Sequence, residues 1–181
     1  MNITDTAIAD VKIIHPRVFA DARGFLLESF SLQRYRQALG LPELVFVQDN
    51  HSRSHQGVLR GLHFQRHQPQ GKLVQCVRGA VFDVAVDIRP HSPSYGQWVG
   101  TVLSEDNQAQ MWIPPGLAHG FAVLSSVADC LYKCTDYYHP QSEDCLIWND
   151  PAIGINWPLT RPQLSAKDAQ GKTLAALAAA Q

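Results

Sequence analysis

The segment GVLRGLHFQ, residues 57–65, combines the apolar residues of a buried strand with two polar side chains, Arg60 and His63. Burying either side chain costs free energy unless a partner replaces the lost hydration. Strict strand alternation would place the two on opposite faces. Gly61 lies between them, and a glycine inside a strand often marks a bulge. We therefore predict a bulge at Gly61 that turns both side chains toward one cavity.

Three side chains suited to proton transfer lie in predicted strands, namely His63, Tyr132 and Lys72. Histidine is a natural general base because its unperturbed pKa lies near neutrality. Tyr132 shares a strand face with Cys130 and Cys134, and its hydroxyl can give or accept a proton. Lys72, at the head of another strand, can meet negative charge on a developing oxyanion. Together a base, an acid and a cation suit proton abstraction next to a carbonyl group.

A metal site is incomplete in this sequence. The segment MWIPPGLAHGFAVL carries a P-x-G-x-x-H pattern ending at His119, which resembles the second signature of cupin barrels, where such a histidine binds a metal. The first cupin signature has two histidines separated by one residue, but Gln65 follows His63 at that spacing. His67 falls in a polar loop. Because a metal needs three or four converging ligands, we predict a cupin-like barrel without a metal.

The elements that must hold these residues are mostly short β-like runs separated by Gly, Pro, Asn or Ser. This spacing predicts an antiparallel sandwich, jelly roll or barrel. The Arg78–Gly79 junction is interpreted as a hairpin turn. Helix is predicted from a Ser31 cap to Gly40 and, near the C-terminus, as a short capped turn at SAKD and a weak helix beyond it. We expect a single domain over 1–181, with about the last ten residues free to fray.

Composition limits the classes of function. The 181 residues suffice for one domain, and their 17% charged residues fall below the roughly 25% of an average domain, which favours a dimer. A net charge of −1 argues against nucleic-acid binding. No signal peptide and no membrane span is expected, since no apolar stretch reaches about 18 residues. Four cysteines without a CxxC pair predict reduced thiols and a cytoplasmic location.

The sequence resembles the dTDP-4-dehydrorhamnose 3,5-epimerases in a series of segments with matching order and spacing: VQDNHSRS, GVLRGLHFQ, QGKLV, VFDVAVDIR, SPSYGQWVG, WIPPGLAHGF, LYKCTDYY and LSAKD. The resemblance covers nearly the whole chain. It implies a mainly β, cupin-like jelly roll with a few short helices, without metal or cofactor and usually homodimeric. It also implies epimerisation of dTDP-4-dehydro-6-deoxy-D-glucose at carbons 3 and 5 to dTDP-4-dehydro-L-rhamnose, on the route to dTDP-L-rhamnose and cell-surface polysaccharide.

The resemblance also implies roles for individual residues. His63 matches the base that removes protons from both carbons, and Tyr132 matches the acid that returns them from the other side. Lys72 matches a residue that stabilises the enolate, and Asp168 matches the carboxylate that orients the histidine. Substrate-contacting positions are matched by Arg23, Glu28, Gln48, Asp49, Asn50, Arg60, His119, Glu143 and Lys167.

Other interpretations remain open for several of these positions. Ser165 and Asp168 also satisfy an S-x-x-D capping box, and Asp83 is an alternative partner for a histidine. His119 would otherwise be a core histidine, and Glu143 a surface acid. For function, the alternatives are a single-carbon epimerase or ketoisomerase on a related keto sugar and, from other classes, a metal-dependent cupin oxygenase or a ligand-binding module.

Overall fold

A computed structural model describes residues 1–179 of the chain. Over these residues the polypeptide forms thirteen β-strands and three short α-helices. The strands are β1 (Asn2–Asp5), β2 (Lys12–His15), β3 (Val18–Asp21), β4 (Gly24–Leu27), β5 (Gln48–His55), β6 (Leu59–Gln65), β7 (Lys72–Arg78), β8 (Ala80–Asp87), β9 (Trp98–Ser104), β10 (Gln110–Ile113), β11 (Leu117–Val123), β12 (Val127–Cys134) and β13 (Glu143–Cys145). The helices are α1 (Leu32–Leu39), α2 (Ala166–Ala169) and α3 (Leu174–Ala179).

Two antiparallel sheets form the body of the molecule. The larger sheet has the strand order β1-β2-β10-β7-β12-β5, and the smaller has the order β13-β6-β11-β8-β9. Strands β3 and β4 pair only with each other, as a separate hairpin. This architecture confirms the prediction of a mainly β, two-sheet fold with few helices. None of the helices over residues 1–179 has the length and apolar character needed to span a membrane.

The principal core lies between the two sheets. Val74 and Met111 of the larger sheet pack there with Val81, Ala85 and other side chains of the smaller one. Side chains alternate along β8, because Val81 and Ala85 face the core while Val84 belongs to a cluster on the opposite face. Burying one such side chain contributes about 1.5–3 kcal/mol. The same alternation decides which polar side chains of β8 point between the sheets.

Each sheet is also covered on its outer face. Tyr35 of α1 packs with Ile14 and Trp112 on the larger sheet. The C-terminal segment covers the smaller sheet, where Leu177 of α3 joins Leu62 in a second apolar cluster. Through these contacts α3 packs against the sheet that carries His63.

The predicted helices are present. Helix α1 is preceded by Ser31, whose side chain makes no capping hydrogen bond, and ends at Gly40, which adopts a left-handed φ of 69°. At α2 the Ser165 hydroxyl accepts a hydrogen bond from the backbone N–H of Asp168 at 3.1 Å, as a capping box requires. The tail in which fraying was expected forms α3 as far as Ala179, and residues 180–181 lie outside the described part of the chain.

The interpretation of Arg78–Gly79 as a hairpin turn is wrong. Strand β7 belongs to the larger sheet and β8 to the smaller, so the two do not pair. Gly79 makes a sharp turn with a φ of 72°, and its N–H donates to the Glu105 carboxylate at 2.9 Å. The turn carries the chain from one sheet to the other. A glycine between two strands signals a change of direction but does not say which sheet receives the second strand.

Candidate active site

A polar cavity of about 370 Å³ lies between the sheets. The larger sheet contributes side chains from β5, β7 and β12, and the smaller sheet contributes side chains from β6, β11 and β13. Eight of the predicted site residues line it, namely Gln48, Asn50, Arg60, His63, Lys72, His119, Tyr132 and Glu143. The fold therefore brings together residues that are up to 95 positions apart in the sequence.

Arg60 and His63 reach the same cavity because β6 is bulged. His119 of β11 lies opposite His63, whereas Phe121 lies opposite Arg60, so three steps along β6 match two along β11. Gly61 lies within the bulge with a φ of 113°, and a Cβ atom there would come within 2.6 Å of the backbone of β11. The predicted bulge is confirmed. Its glycine is required both by the backbone conformation and by the close approach of β11.

His63 is paired with Asp168. Its Nε2 atom lies 2.5 Å from the Asp168 Oδ1 atom. Burial alone would raise the pKa of Asp168, but the hydrogen bond with His63 and further partners bring that pKa below its ordinary value. An ionised Asp168 accepts a hydrogen bond from the imidazole and limits the orientations of the ring. The backbone N–H of Asp168 also donates to the Ser165 hydroxyl, so the helix cap and the pairing with His63 occur together.

Asp83 pairs with the other histidine of the cavity. Its Oδ1 atom lies 2.9 Å from Nε2 of His119, and both residues are buried. Burial lowers the pKa of His119 despite the nearby carboxylate. His119 is therefore a neutral cavity residue near pH 7, whereas His63 has Asp168 as its carboxylate partner.

Lys72 and Tyr132 lie on the wall opposite His63, in the larger sheet. Lys72 is only 9% exposed, and its Nζ atom lies 3.5 Å from the backbone carbonyl of His63. Burial lowers the pKa of Lys72 and raises the pKa of Tyr132. The raised pKa keeps the Tyr132 hydroxyl protonated at neutral pH, which suits a proton donor.

The rim of the cavity carries a charged network. Glu143 forms an ion pair with Lys167, and it accepts a hydrogen bond from the Tyr138 hydroxyl at 2.7 Å. Burial tends to raise the pKa of Glu143, but these two partners bring it below its ordinary value. Glu143 is therefore ionised at the rim. Lys167 does not line the cavity but contacts Glu143, which does.

Four predicted substrate-contacting residues do not line the cavity of their own chain: Lys167, which pairs with Glu143 at the rim, and Arg23, Glu28 and Asp49. Arg23 follows β3 and pairs with Asp21 in the hairpin turn, and Glu28 follows β4 and pairs with Arg34 at 3.3 Å. Asp49 is on the outward face of β5. Its carboxylate accepts hydrogen bonds from Lys133 at 3.0 Å.

Other residues that line the cavity were not predicted from the sequence. Ser52 follows Gln48 and Asn50 at alternate positions of β5, so strand alternation alone could have found it. Its buried hydroxyl has no hydrogen-bond partner within residues 1–179. Gln70 and Tyr138 lie in loops, where no periodic pattern indicates which side chains turn inward.

Gln65, at the position where a metal-binding cupin has its second histidine, forms hydrogen bonds with the protein backbone. Its Nε2 atom donates to the backbone carbonyls of Gln68 and Tyr137, at 2.7 and 3.2 Å. Its Oε1 atom accepts from the N–H of His139 at 2.8 Å. Gln65 thus ties together the loops that carry Gln70 and Tyr138.

Residues 5–176 match the family model of the dTDP-4-dehydrorhamnose 3,5-epimerases. The chain belongs to this family. The family match confirms the resemblance found in the sequence motifs and shows that the protein is an enzyme of the isomerase class.

Individual relatives support the same assignment. A dTDP-4-dehydrorhamnose 3,5-epimerase of Pseudomonas aeruginosa is 57% identical, with 97% of each chain covered. One of Neisseria gonorrhoeae is 56% identical over 97% of this chain, which spans 53% of that relative's length. The crystal structure of a dTDP-6-deoxy-D-glucose-3,5-epimerase from Legionella pneumophila in complex with dTDP-4-keto-L-rhamnose is 57% identical and superposes with a TM-score of 0.94, covering 96% of this chain and 93% of that one. This likeness confirms the cupin-like jelly roll expected for the family.

Proposed function

We propose that the protein epimerises dTDP-4-dehydro-6-deoxy-D-glucose at carbons 3 and 5, giving dTDP-4-dehydro-L-rhamnose for dTDP-L-rhamnose synthesis. The observation that carries this proposal is the placement of His63 and Tyr132 on opposite walls of one cavity, with Lys72 beside them. Inversion of a carbon needs a base on one face of the sugar ring and an acid on the other. The family assignment supplies the substrate class.

The mechanism follows from the ketone at carbon 4. A ketone acidifies both neighbouring carbons, so a single base can serve carbon 3 and carbon 5 in turn. His63 takes the proton, and the resulting imidazolium is stabilised by Asp168 at 2.5 Å. Lys72 meets the negative charge that develops on the ketone oxygen. Tyr132 then donates a proton from the opposite face, and the carbon is inverted.

Substrate binding is assigned to the remaining polar groups of the cavity. Arg60 is exposed at the cavity wall, where its guanidinium suits the diphosphate. Its Nε atom donates to the Ser54 hydroxyl at 2.8 Å, which limits the positions that the side chain can adopt. Gln48, Asn50 and His119 provide hydrogen-bonding groups for the sugar and the nucleotide.

The placement of Arg23 and Glu28 supports a homodimer. Both flank β4, in a hairpin whose apolar side chains are exposed, with Phe25 at 60% and Leu26 at 73%. Large exposed apolar groups close together mark interaction surfaces. In our proposal a second copy covers this hairpin, and Arg23 and Glu28 bind substrate in that copy's cavity. The four buried free thiols support a cytoplasmic location.

The test is turnover of the keto sugar in deuterium oxide, with exchange at carbons 3 and 5 followed separately by NMR. We expect exchange at both carbons and a roughly 10²–10⁴-fold loss of both for His63→Ala, because a general base typically contributes that much. His55→Ala, at an exposed histidine of β5 outside the cavity, is the matched control.

Each contrary outcome has its own meaning. Exchange at one carbon only would support the single-carbon epimerase. Exchange at either carbon that survives His63→Ala would assign the base to another residue. Binding of the keto sugar without exchange or turnover would point to a ligand-binding module.

A further inference from the structure

Cys145 is a buried thiol next to the paired His63 and Asp168, and the proposed reaction does not use it. In the pairing of β13 with β6, Cys145 lies opposite His63. Its Sγ atom lies 4.0 Å from the Asp168 Oδ1 atom and 3.5 Å from the Leu146 carbonyl oxygen. One nitrogen, one sulfur and one oxygen donor therefore converge within 4.8 Å of one another.

This donor set selects among metal ions. Imidazole and thiolate are preferred ligands of Zn²⁺ and of the ions that replace it, Co²⁺ and Cd²⁺. Mg²⁺ and Ca²⁺ prefer several oxygen ligands, and only one carboxylate is available here. The thiolate and the carboxylate together carry two negative charges, which balance a divalent cation.

The three donor atoms lie within 4.8 Å of one another, so zinc binding requires movements on the order of 1 Å. Zinc bonds of about 2.0–2.3 Å in tetrahedral geometry separate neighbouring donor atoms by roughly 3.3–3.8 Å. His63 and Asp168, now 2.5 Å apart, would separate by about 1 Å, and Cys145 would approach Asp168 by a few tenths of an ångström. Three protein ligands leave the fourth position for a water molecule from the cavity, as in open zinc sites.

We propose that His63, Cys145 and Asp168 form an inhibitory binding site for Zn²⁺ and similar thiol-binding divalent cations. On binding, the Cys145 thiol releases its proton to solvent and the sulfur bonds to the metal. The proton that His63 Nε2 shares with Asp168 moves to Nδ1, and the Nε2 lone pair bonds to the metal. The ring then has no free lone pair, so the proposed base can no longer accept a substrate proton.

The cation enters through the substrate cavity. The His63 side chain is 31% exposed there, whereas that of Asp168 is 4% exposed. Cys145 and Asp168 do not line that cavity, so the metal lies behind His63 and blocks proton abstraction by occupying its ring. The binding claim depends on the three side chains alone, while the inhibition claim rests on the proposed function, and the two claims are measured separately.

Binding is tested with Co²⁺ by the thiolate-to-cobalt charge-transfer absorbance and with Zn²⁺ by calorimetry. Cys145→Ser keeps the size of the side chain but removes the thiolate ligand. Cys76→Ser is the matched control, because Cys76 is also buried and its thiol also faces a backbone carbonyl, that of Arg78 at 3.0 Å. Near-ultraviolet circular dichroism checks folding, and Cys145→Ala is the second variant if Cys145→Ser is unstable.

We expect one bound metal and a charge-transfer band in the wild type and in Cys76→Ser. Cys145→Ser should lose the band and bind Zn²⁺ at least about 10-fold more weakly. Mutating a residue that only hydrogen-bonds to a metal ligand already costs about 10-fold in affinity, and Cys145 is proposed as a ligand itself. Absence of the band in the wild type, or its persistence in Cys145→Ser, would overturn the site.

Activity supplies the second measurement. Zn²⁺ should inhibit the wild type and Cys76→Ser, a chelator should restore them, and Cys145→Ser should remain active at about 10-fold higher Zn²⁺. Chelator without added metal should leave activity unchanged, since no metal takes part in the proposed reaction. A cobalt band accompanied by full activity would overturn the inhibitory role and would count against His63 as the base, while the metal site itself would stand.

Discussion

At the scale of single residues, His63 and Tyr132 are held in different ways. His63 is fixed by the buried carboxylate of Asp168. The Tyr132 hydroxyl has no hydrogen-bond partner of this kind among the described residues and faces the cavity. A base must keep one orientation through two proton abstractions, whereas the acid needs a free proton that the bound sugar can reach. The contrast therefore agrees with the roles that we propose.

We predict that Tyr132→Phe separates exchange from inversion. The substitution keeps the ring and nearly the same volume but removes the proton. His63 still forms the enolate, which then regains its proton mostly from the side it came from. Solvent deuterium should enter the sugar while the yield of inverted product falls roughly 10²–10⁴-fold. Tyr137→Phe, at an exposed tyrosine that does not line the cavity, is the control. Product formation by Tyr132→Phe within a few-fold of wild type would refute the acid role.

Pairings between distant residues limited the sequence analysis at this scale. His63 and Asp168 are 105 positions apart, and the sequence left Asp83 as an alternative carboxylate partner. Strand alternation grouped Tyr132 with Cys130 and Cys134, and the same rule applied along β5 would have included Ser52. No local rule could have shown that Arg23 lies outside its own chain's cavity.

At the scale of elements, the bulge in β6 decides whether the site exists. The prediction succeeded because Arg60, Gly61 and His63 conflict with strict alternation within a single strand. The Gly79 turn was misassigned because partner strands are chosen by packing of the whole chain. Local sequence therefore constrains the faces of a strand better than it constrains the strand's neighbours.

We predict that Gly61→Ala lowers the free energy of unfolding more than the same substitution at a glycine that also has a positive φ but has open space around it. Gly154 provides the control, since its φ is 67° and no atom lies within 4 Å of a Cβ there. Both variants force a side chain into the left-handed region, at about 1 kcal/mol. Gly61→Ala also drives a methyl group against the backbone of β11 at 2.6 Å, and we expect at least about 2 kcal/mol more. Urea unfolding measures both. Equal losses would mean that the bulge adapts without cost.

At the scale of the whole molecule, the β3–β4 hairpin pairs with no other strand among residues 1–179. Phe19, Phe25 and Leu26 are each more than half exposed. The cavity of the same chain, by contrast, lacks Arg23 and Glu28. A homodimer in which the hairpin of one copy reaches the cavity of the other would account for the exposed apolar groups and for the two displaced polar residues together.

We predict that two inactive variants restore activity when they are combined in one dimer. Arg23→Glu removes the cation that the hairpin supplies, and His63→Ala removes the base, so each homodimer should be impaired at both cavities. In a mixed dimer, the cavity of the Arg23→Glu chain keeps its own His63 and receives an intact Arg23 from the His63→Ala chain. The two chains are co-expressed with different tags, and the mixed dimer is purified and assayed against each homodimer. If Arg23 served its own chain's cavity, neither cavity of the mixed dimer would hold both residues and activity would not return. A chain that elutes as a monomer would remove the basis for sharing altogether.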